Sequence, residues 1–484
     1  MGTQKEALNR AQRLPIAVFF AAALLYLSIP SARYNFDGVA CSIAVELGDM
    51  RHLFHGNHLL YGFLSYLWFT LWRLLGYAGP ALQALQVMNS GLGAAGVAAF
   101  SLLLLRCGFN PVSAALGAAG LMVSQIYWAW SLEAQVYPLG AVFLFLAAAE
   151  AVREEPSPER VGLFHAFAIL GHVGHLMFLP AGLYLVRDRR RCLRYVAVLG
   201  ATTAAAYAFC GIVWMRPRSF EELRVWLLGS SVLTLDRSFS WHGGYSLPGL
   251  KLWLNLSRTI LGGGPIAGTL LAALAAAGAA ASWRSRPRPT RACLLWLAGY
   301  AVLYLSWEPG TFVYRITDLL PVWLLILAAF EALPWRPSWK NIGLAAIVAA
   351  LGLNNLFTDA LPNGDPLRNA SLQRALWLGR TTPEGAWIVV DNNDQVYVPY
   401  FAHRNPLNLR YYTARKELLR TRLNELGAQG APVFVVPETL SPEWREWFAA
   451  QRLEGKGRFQ GWSLSQVRAA VEGSARPIVR RKGN

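Results

Sequence analysis

The chain has 484 residues, of which 54% are hydrophobic and 15% charged, with a mean hydropathy of +0.31. A soluble protein of ordinary composition has about 25% charged residues and no apolar runs of about 20 residues, so a soluble globular class is excluded. The net charge of +17, from 45 Lys and Arg against 28 Asp and Glu, would suit nucleic acid in a soluble chain. In a membrane chain it belongs to the loops that fix topology, and no nucleic-acid partner is expected.

In chain order, Lys5, Arg10 and Arg13 precede an apolar run over 14–30. Ser28 and Pro30 interrupt any small-x-small cleavage pattern, so the segment reads as an uncleaved signal anchor with a cytoplasmic start. Further apolar runs fall at 59–76, 80–105, 111–130, 134–152, 161–186, 195–215, 262–283, 292–306, 316–334 and 340–357. Basic clusters lie at Arg106 and over 153–160, 187–194, 284–291 and 336–340. The positive-inside rule wants all of them in the cytoplasm.

One crossing per run puts Arg106 on the wrong side. Two local readings repair this. The run 59–76, with Trp68, Trp72 and Arg73, lies in the interface or dips in and returns. The run 161–186, broken by Gly171, Gly174 and Pro180, forms a hairpin of two short helices, which needs protein or a wet cavity to cover its irregular backbone. One of the eleven runs removed and one counted twice leaves eleven crossings. The loops near 31–58, 131–134, 216–261 and 307–315 then face the far side, with everything after 358.

The expected fold is thus an α-helical polytopic membrane protein, residues 1–357, followed by a small extracytoplasmic α/β domain, residues 358–484. That tail is polar. It has strand-like segments at 386–390 and 432–436 and helix-like ones at 413–426 and 441–451, and strand–helix alternation implies an α/β unit. None of the five cysteines lies beyond Cys293, and their spacing fits neither a disulfide framework nor a zinc site.

Ionisable residues near a membrane face are costly unless solvated or used, which makes them candidates. Asp37, in Arg-Tyr-Asn-Phe-Asp-Gly, follows the first crossing; the alternative is a solvated loop carboxylate. Glu133, in Trp-Ser-Leu-Glu-Ala-Gln-Val-Tyr-Pro, reaches the same side and depth, and two such carboxylates suit base catalysis or metal binding. A helix-cap role also accounts for Glu133. His172 and His175 flank the hairpin break at 171–180. Their spacing suits a metal, but no carboxylate lies nearby in sequence, so packing or a polar cavity lining is the stronger reading. Arg315, after Trp307-Glu308-Pro309-Gly310, is either a phosphate ligand through its planar fork or an interfacial anchor.

Together these stretches resemble the multi-pass glycosyltransferases that use polyprenyl-phosphate sugars, the GT-C group that includes protein O-mannosyltransferases and oligosaccharyltransferase catalytic subunits. Asp37, an amphipathic segment and His55-Gly56-Asn57-His58-Leu59-Leu60-Tyr61-Gly62 are similar to that group's first outer loop. Glu133-Ala134-Gln135-Val136-Tyr137 is similar to an Ala-Glu-Val-Tyr element of the bacterial branch. Gly171 to Pro180 resembles its Gly-Leu…His…Pro hairpin, with His175 at the matching histidine. The prolines of the outer-loop element are absent here, and Asp37 is followed by glycine rather than a second acid.

The resemblance implies inverting transfer of one sugar, mannose or a similar one, from a polyprenyl-phosphate donor to a glycan, lipid or protein acceptor. The site would face outward from a membrane, the bacterial inner membrane being the expected one. A phosphate leaving group needs no strong acid; it needs a base for the incoming hydroxyl and dipoles or cations for the phosphate. Asp37 is the expected base, with Glu133 in a second polar or metal-holding role. His175, Arg315, His58, Tyr137 and His172 are the donor and phosphate candidates. A divalent cation is the one cofactor left open, and no metal ligands are assigned. The competing readings are a lipid-linked sugar flippase or transporter and a lipid-linked polymerase or ligase. Transporters show midplane sites and internal repeats, and neither is evident here.

Overall fold

The computed structural model of the chain describes residues 2–228, 245–413, 415–451 and 453–467, with side chains described from Arg13 onward. These residues form two compact units that part between Asp365 and Pro366. The middle of the expected 216–261 loop lies outside the described residues.

The first unit begins with α1 (Gly2–Ser28), α2 (Phe36–Leu47), α3 (Met50–Leu53), α4 (Leu59–Leu74) and α5 (Ala81–Arg106). It continues through α6 (Pro111–Val123), α7 (Gln125–Ser131), α8 (Tyr137–Ala151), α9 (Pro158–Gly171), α10 (Leu179–Val186) and α11 (Arg189–Cys210). After α12 (Phe220–Leu228) and α13 (Leu247–Ser257) come α14 (Gly264–Ser285), α15 (Pro287–Ser306), α16 (Leu319–Ala332) and α17 (Pro337–Asn355). Among the described residues, five helical stretches are long and apolar enough to cross a membrane, or six if the bent pair α6–α7 counts as one span. The chain is an integral, multi-pass membrane protein.

Small residues let these helices touch. A Cβ on Gly278 would sit 1.8 Å from the carbonyl oxygen of Leu325, so the α14–α16 contact requires glycine, as close helix crossings in membranes often do. Fully buried Trp323 on α16 donates from Nε1 to Ser124 Oγ at 2.8 Å.

That serine marks a departure from the single run 111–130: α6 and α7 are bent by 67°. No proline causes the bend. The N–H groups of Gln125 and Ile126 donate instead to the carbonyls of Leu261 (3.1 Å) and Ile260 (3.3 Å), and Asn355 Nδ2 donates to those of Val123 and Leu261, both at 2.8 Å. Backbone groups at a helix break need such partners, and these come from residues more than 90 positions away.

The expected break in 161–186 is present. His172 is extended (φ −162°, ψ 124°), and a 3-10 turn over Val173–Phe178 follows. The turn folds back on α9, placing His165 Nε2 2.8 Å from the His175 carbonyl. The 59–76 run differs from one of its two readings: α4 is a single 16-residue helix that does not turn back on itself.

The ends of the bundle differ in chemistry. At one end Glu150 meets Arg106 and Arg153, and Arg288 donates to the carbonyls of Ala151, Arg153 and Leu185 at 2.7–3.1 Å. There Arg286 bonds the Cys107 carbonyl and pairs with Glu331, whose own carbonyl accepts from Lys340. The basic clusters noted in the sequence therefore converge. The loops carrying Asp37, Glu133 and Glu308 meet at the other end, where the Ala32 N–H donates to the Asn363 carbonyl at 2.7 Å.

The second unit holds a five-stranded sheet in the order β2-β1-β3-β5-β4. Its strands are β1 (Trp387–Val390), β2 (Asn405–Asn408), β3 (Val433–Val435), β4 (Leu453–Phe459) and β5 (Trp462–Val467). β1 runs parallel to β2 and β3, while β5 is antiparallel to β3 and β4. Helices Lys416–Ala428 and Pro442–Ala449 pack Leu419, Leu423, Trp444 and Phe448 against Val389, Leu407 and Val433. Both strands and both helices read from the sequence are present. β2, β4, β5 and helix Ala370–Thr381 were not anticipated, because short polar strands such as Asn-Pro-Leu-Asn carry no alternation.

Candidate active site

The site is built around the turn between α1 and α2. Asn35 caps α2, its Oδ1 accepting from the Gly38 N–H at 3.0 Å. The same residue donates its backbone N–H and its Nδ2 to Glu133 Oε2, both at 3.1 Å, and Ser31 Oγ donates to Glu133 Oε1 at 2.5 Å. Glu133 is 1% exposed, and three donors occupy its two oxygens. It ties residues 31–35 to the 131–136 loop.

Asp37 is held far more lightly. Gln135 Nε2 reaches Asn35 Oδ1 at 2.5 Å and Asp37 Oδ2 at 3.3 Å. Asp37 remains open to water. Even so, the protein mass around it pushes its pKa above the usual carboxylate range; Gln135 pulls it down, and the charge of Glu308 pushes it up again. Burial raises Glu133 as well, against the pull of Ser31 and Asn35. The missing second acid after Asp37 has a steric cause: a Cβ at Gly38 would lie 2.5 Å from the Ala134 carbonyl oxygen.

Aromatic and imidazole rings wall the recess. Tyr137 packs on His172 (centroids 4.9 Å apart) and on Tyr314 (5.8 Å), and Tyr314 stacks between Trp307 (5.3 Å) and Tyr304 (4.8 Å). Tyr137 and Tyr314 both feel the charge of Asp37. Glu308 accepts from Thr311 Oγ1 at 2.7 Å. His55 and His58 stack at 4.4 Å. Burial lowers His55 to about 4 and His58 further, with His55 and His172 adding to the effect on His58. Both rings are therefore neutral near pH 7, and His58 Nδ1 has no hydrogen-bond partner among the described residues.

The structure thus gathers Asp37, Glu133, His58, Tyr137 and His172. His175 and Arg315 are placed differently. His175 is 1% exposed, with Nδ1 2.9 Å from the Tyr300 hydroxyl and Nε2 packed against Gly140. Arg315, 3% exposed, pairs with Asp318 at 2.5 Å, donates to the Trp253 carbonyl (3.0 Å) and Ser257 Oγ (2.9 Å), and lies 4.1 Å over the Trp253 ring. To bind a phosphate it would have to abandon these partners. Among the described residues no group of three or more His, Cys, Asp or Glu is placed to hold a metal ion, and the Glu133 oxygens are already occupied.

Sequence reasoning had passed over Asn35, Gln135 and Glu308 as site residues. Gln135 sits two positions after Glu133 in the motif already noted, and Glu308 lies in the Trp-Glu-Pro-Gly stretch. Their convergence on Asp37 has no local signature.

The fold is that of the GT-C membrane glycosyltransferases. Among solved structures the chain is similar to ArnT from Cupriavidus metallidurans in the apo state, with a TM-score of 0.64 and 15% identity, over 95% of this chain and 98% of that one. ArnT bound to undecaprenyl phosphate gives 0.63 and 13%, over 93% and 97%. The Archaeoglobus fulgidus oligosaccharyltransferase in complex with Zn and sulfate gives 0.52 and 13%, over 87% of this chain and 68% of that one. No family model and no curated protein sequence matches the chain.

Proposed function

We propose that this protein transfers a monosaccharide from a polyprenyl-phosphate donor to an acceptor hydroxyl, with Asp37 as the base. The observation that carries the reading is Asp37 itself: a water-accessible carboxylate with one long amide contact, in a recess walled by Tyr137, Tyr314 and His172. A fold shared with membrane glycosyltransferases supports the class. The undecaprenyl phosphate seen on ArnT supports the carrier.

In the proposed reaction the acceptor oxygen attacks the anomeric carbon as Asp37 takes its proton. The bond to the phosphate oxygen breaks on the opposite face, and the anomeric centre inverts. Polyprenyl phosphate leaves with the bonding pair. His58, His172 and Tyr137 offer neutral donors to sugar or phosphate, while Glu133 holds the Asp37 turn. Arg315 and His175 act by keeping the recess in shape. No step is routed through a divalent cation.

The eleven-crossing topology, with Asp37 and residues 358–484 outside the cytoplasm of a bacterial inner membrane, belongs to the same proposal. It is supported by the gathering of the basic clusters at the end away from Asp37, and by the chain's exit from the bundle beside Ala32.

The test incubates purified protein with labelled polyprenyl-phosphate sugars, mannose first, and with glycan, lipid and peptide acceptors. Labelled product of inverted configuration is expected. If donor crosses a liposome bilayer and no acceptor is ever labelled, the transferase reading fails in favour of a flippase.

A further inference from the structure

We propose that Asn89 on α5 is a positioning residue of this site, fixing the 133–135 segment so that Gln135 meets Asp37. The proposal rests on the transferase reading of Asp37. Asn89 is fully buried, and its Nδ2 donates to two carbonyls, those of Glu133 and Gln135, each at 2.6 Å. Both amide hydrogens are therefore spent on one three-residue stretch. The carbonyl between them, that of Ala134, faces the opposite way, against Gly38.

The segment is thus gripped from two sides. Asn89 holds alternate carbonyls from behind, and the glycine-only contact with α2 bears on the middle one in front. Glu133 and Gln135 project from this clamped stretch, and their side chains make every described side-chain contact that ties the loop to Asn35 and Asp37.

On its other side Asn89 lies beside the buried Tyr61 hydroxyl, which also interacts with Ser65, so the side chain is held from α4 as well. An apolar residue at this position would free the two carbonyls that set the register. Because misplacing a reacting group by about 1 Å can cost roughly 100-fold in rate, this grip belongs to catalysis.

Asn89→Asp keeps the shape and removes the paired donors; Asn89→Ser retains a single one. Relative to wild type, kcat per folded molecule should fall about 10- to 100-fold in Asn89→Asp and less in Asn89→Ser, with donor KM changed less than about threefold. In Asn89→Leu, which removes both donors without adding a charge, the acid limb of the pH profile should move to higher pH, because a loosened Gln135 no longer favours the ionised Asp37. Glu308, Cys41, Tyr61, Tyr137 and Tyr314, the other titratable groups coupled to Asp37, are unchanged by the substitution. Since Asn89 is argued to act through Gln135, adding Gln135→Ala to Asn89→Asp should cost less than the product of the single effects. Full multiplication, or wild-type kcat in both Asn89→Asp and Asn89→Ser alongside an Asp37-dependent wild-type rate, overturns the positioning role and leaves the transferase reading standing. Equal transfer by wild type and Asp37→Asn overturns that reading instead.

Discussion

Glu150 and Asp37 lie at opposite ends of one helical bundle, and they are treated in opposite ways. Glu150 is 3% exposed and accepts from two arginines and the Ser157 N–H. Asp37 is open to water, has one amide at 3.3 Å, and faces a second carboxylate in Glu308. A buried charge with every lone pair engaged is a structural element. A carboxylate kept accessible, lightly bonded and raised in pKa is suited to take up a proton. Glu133 stands between them: it is within the site but fully engaged, so it holds the turn on which Asp37 depends.

The largest expected effect is that of Asp37→Asn, which should lower transfer by about two to four orders of magnitude, the usual cost of losing a base, without changing the unfolding temperature in detergent. Near-normal turnover would remove the contrast between the two ends. Arg315→Ala should act on stability instead. It leaves Asp318 buried without its partner, a change that typically costs about 3–5 kcal/mol, while donor KM per folded molecule stays at the wild-type value. A raised donor KM with unchanged thermal stability would return Arg315 to the phosphate.

Glu150→Gln, at the arginine-rich end, should lower stability by about 1–3 kcal/mol through weakened hydrogen bonds and leave kcat unchanged in folded protein. The smallest effect concerns pH. Asp37 has a raised pKa, so on acidification it gains its proton earlier than an ordinary carboxylate, and kcat should begin to fall at correspondingly higher pH. Glu308→Gln removes the neighbouring negative charge, which eases ionisation of Asp37. The acid limb should then shift to lower pH, and a shift upward would show that Glu308 does not act on Asp37 through its charge.

The membrane class, the positions of most apolar helices, the break at His172 and the presence of an α/β tail were legible because each rests on local composition or periodicity, which the chain carries in consecutive residues. Asp37, Glu133, His58, Tyr137 and His172 were legible as candidates because polar groups beside apolar runs demand a reason.

The bend at Ser124, the commitment of Arg315 to Asp318 and Trp253, the burial of His175 against Gly140, and the meeting of Gln135, Glu308 and Asn89 around Asp37 were not. Each depends on partners from distant parts of the chain, such as Leu261 and Asn355 for the bend or Trp253 and Ser257, beside the nearby Asp318, for Arg315. The sequence by itself determined which residues are costly to place near a membrane. Only the tertiary structure decided which of them have their hydrogen bonds and charges met: Glu133 and Arg315 do, whereas Asp37 is left accessible and lightly held.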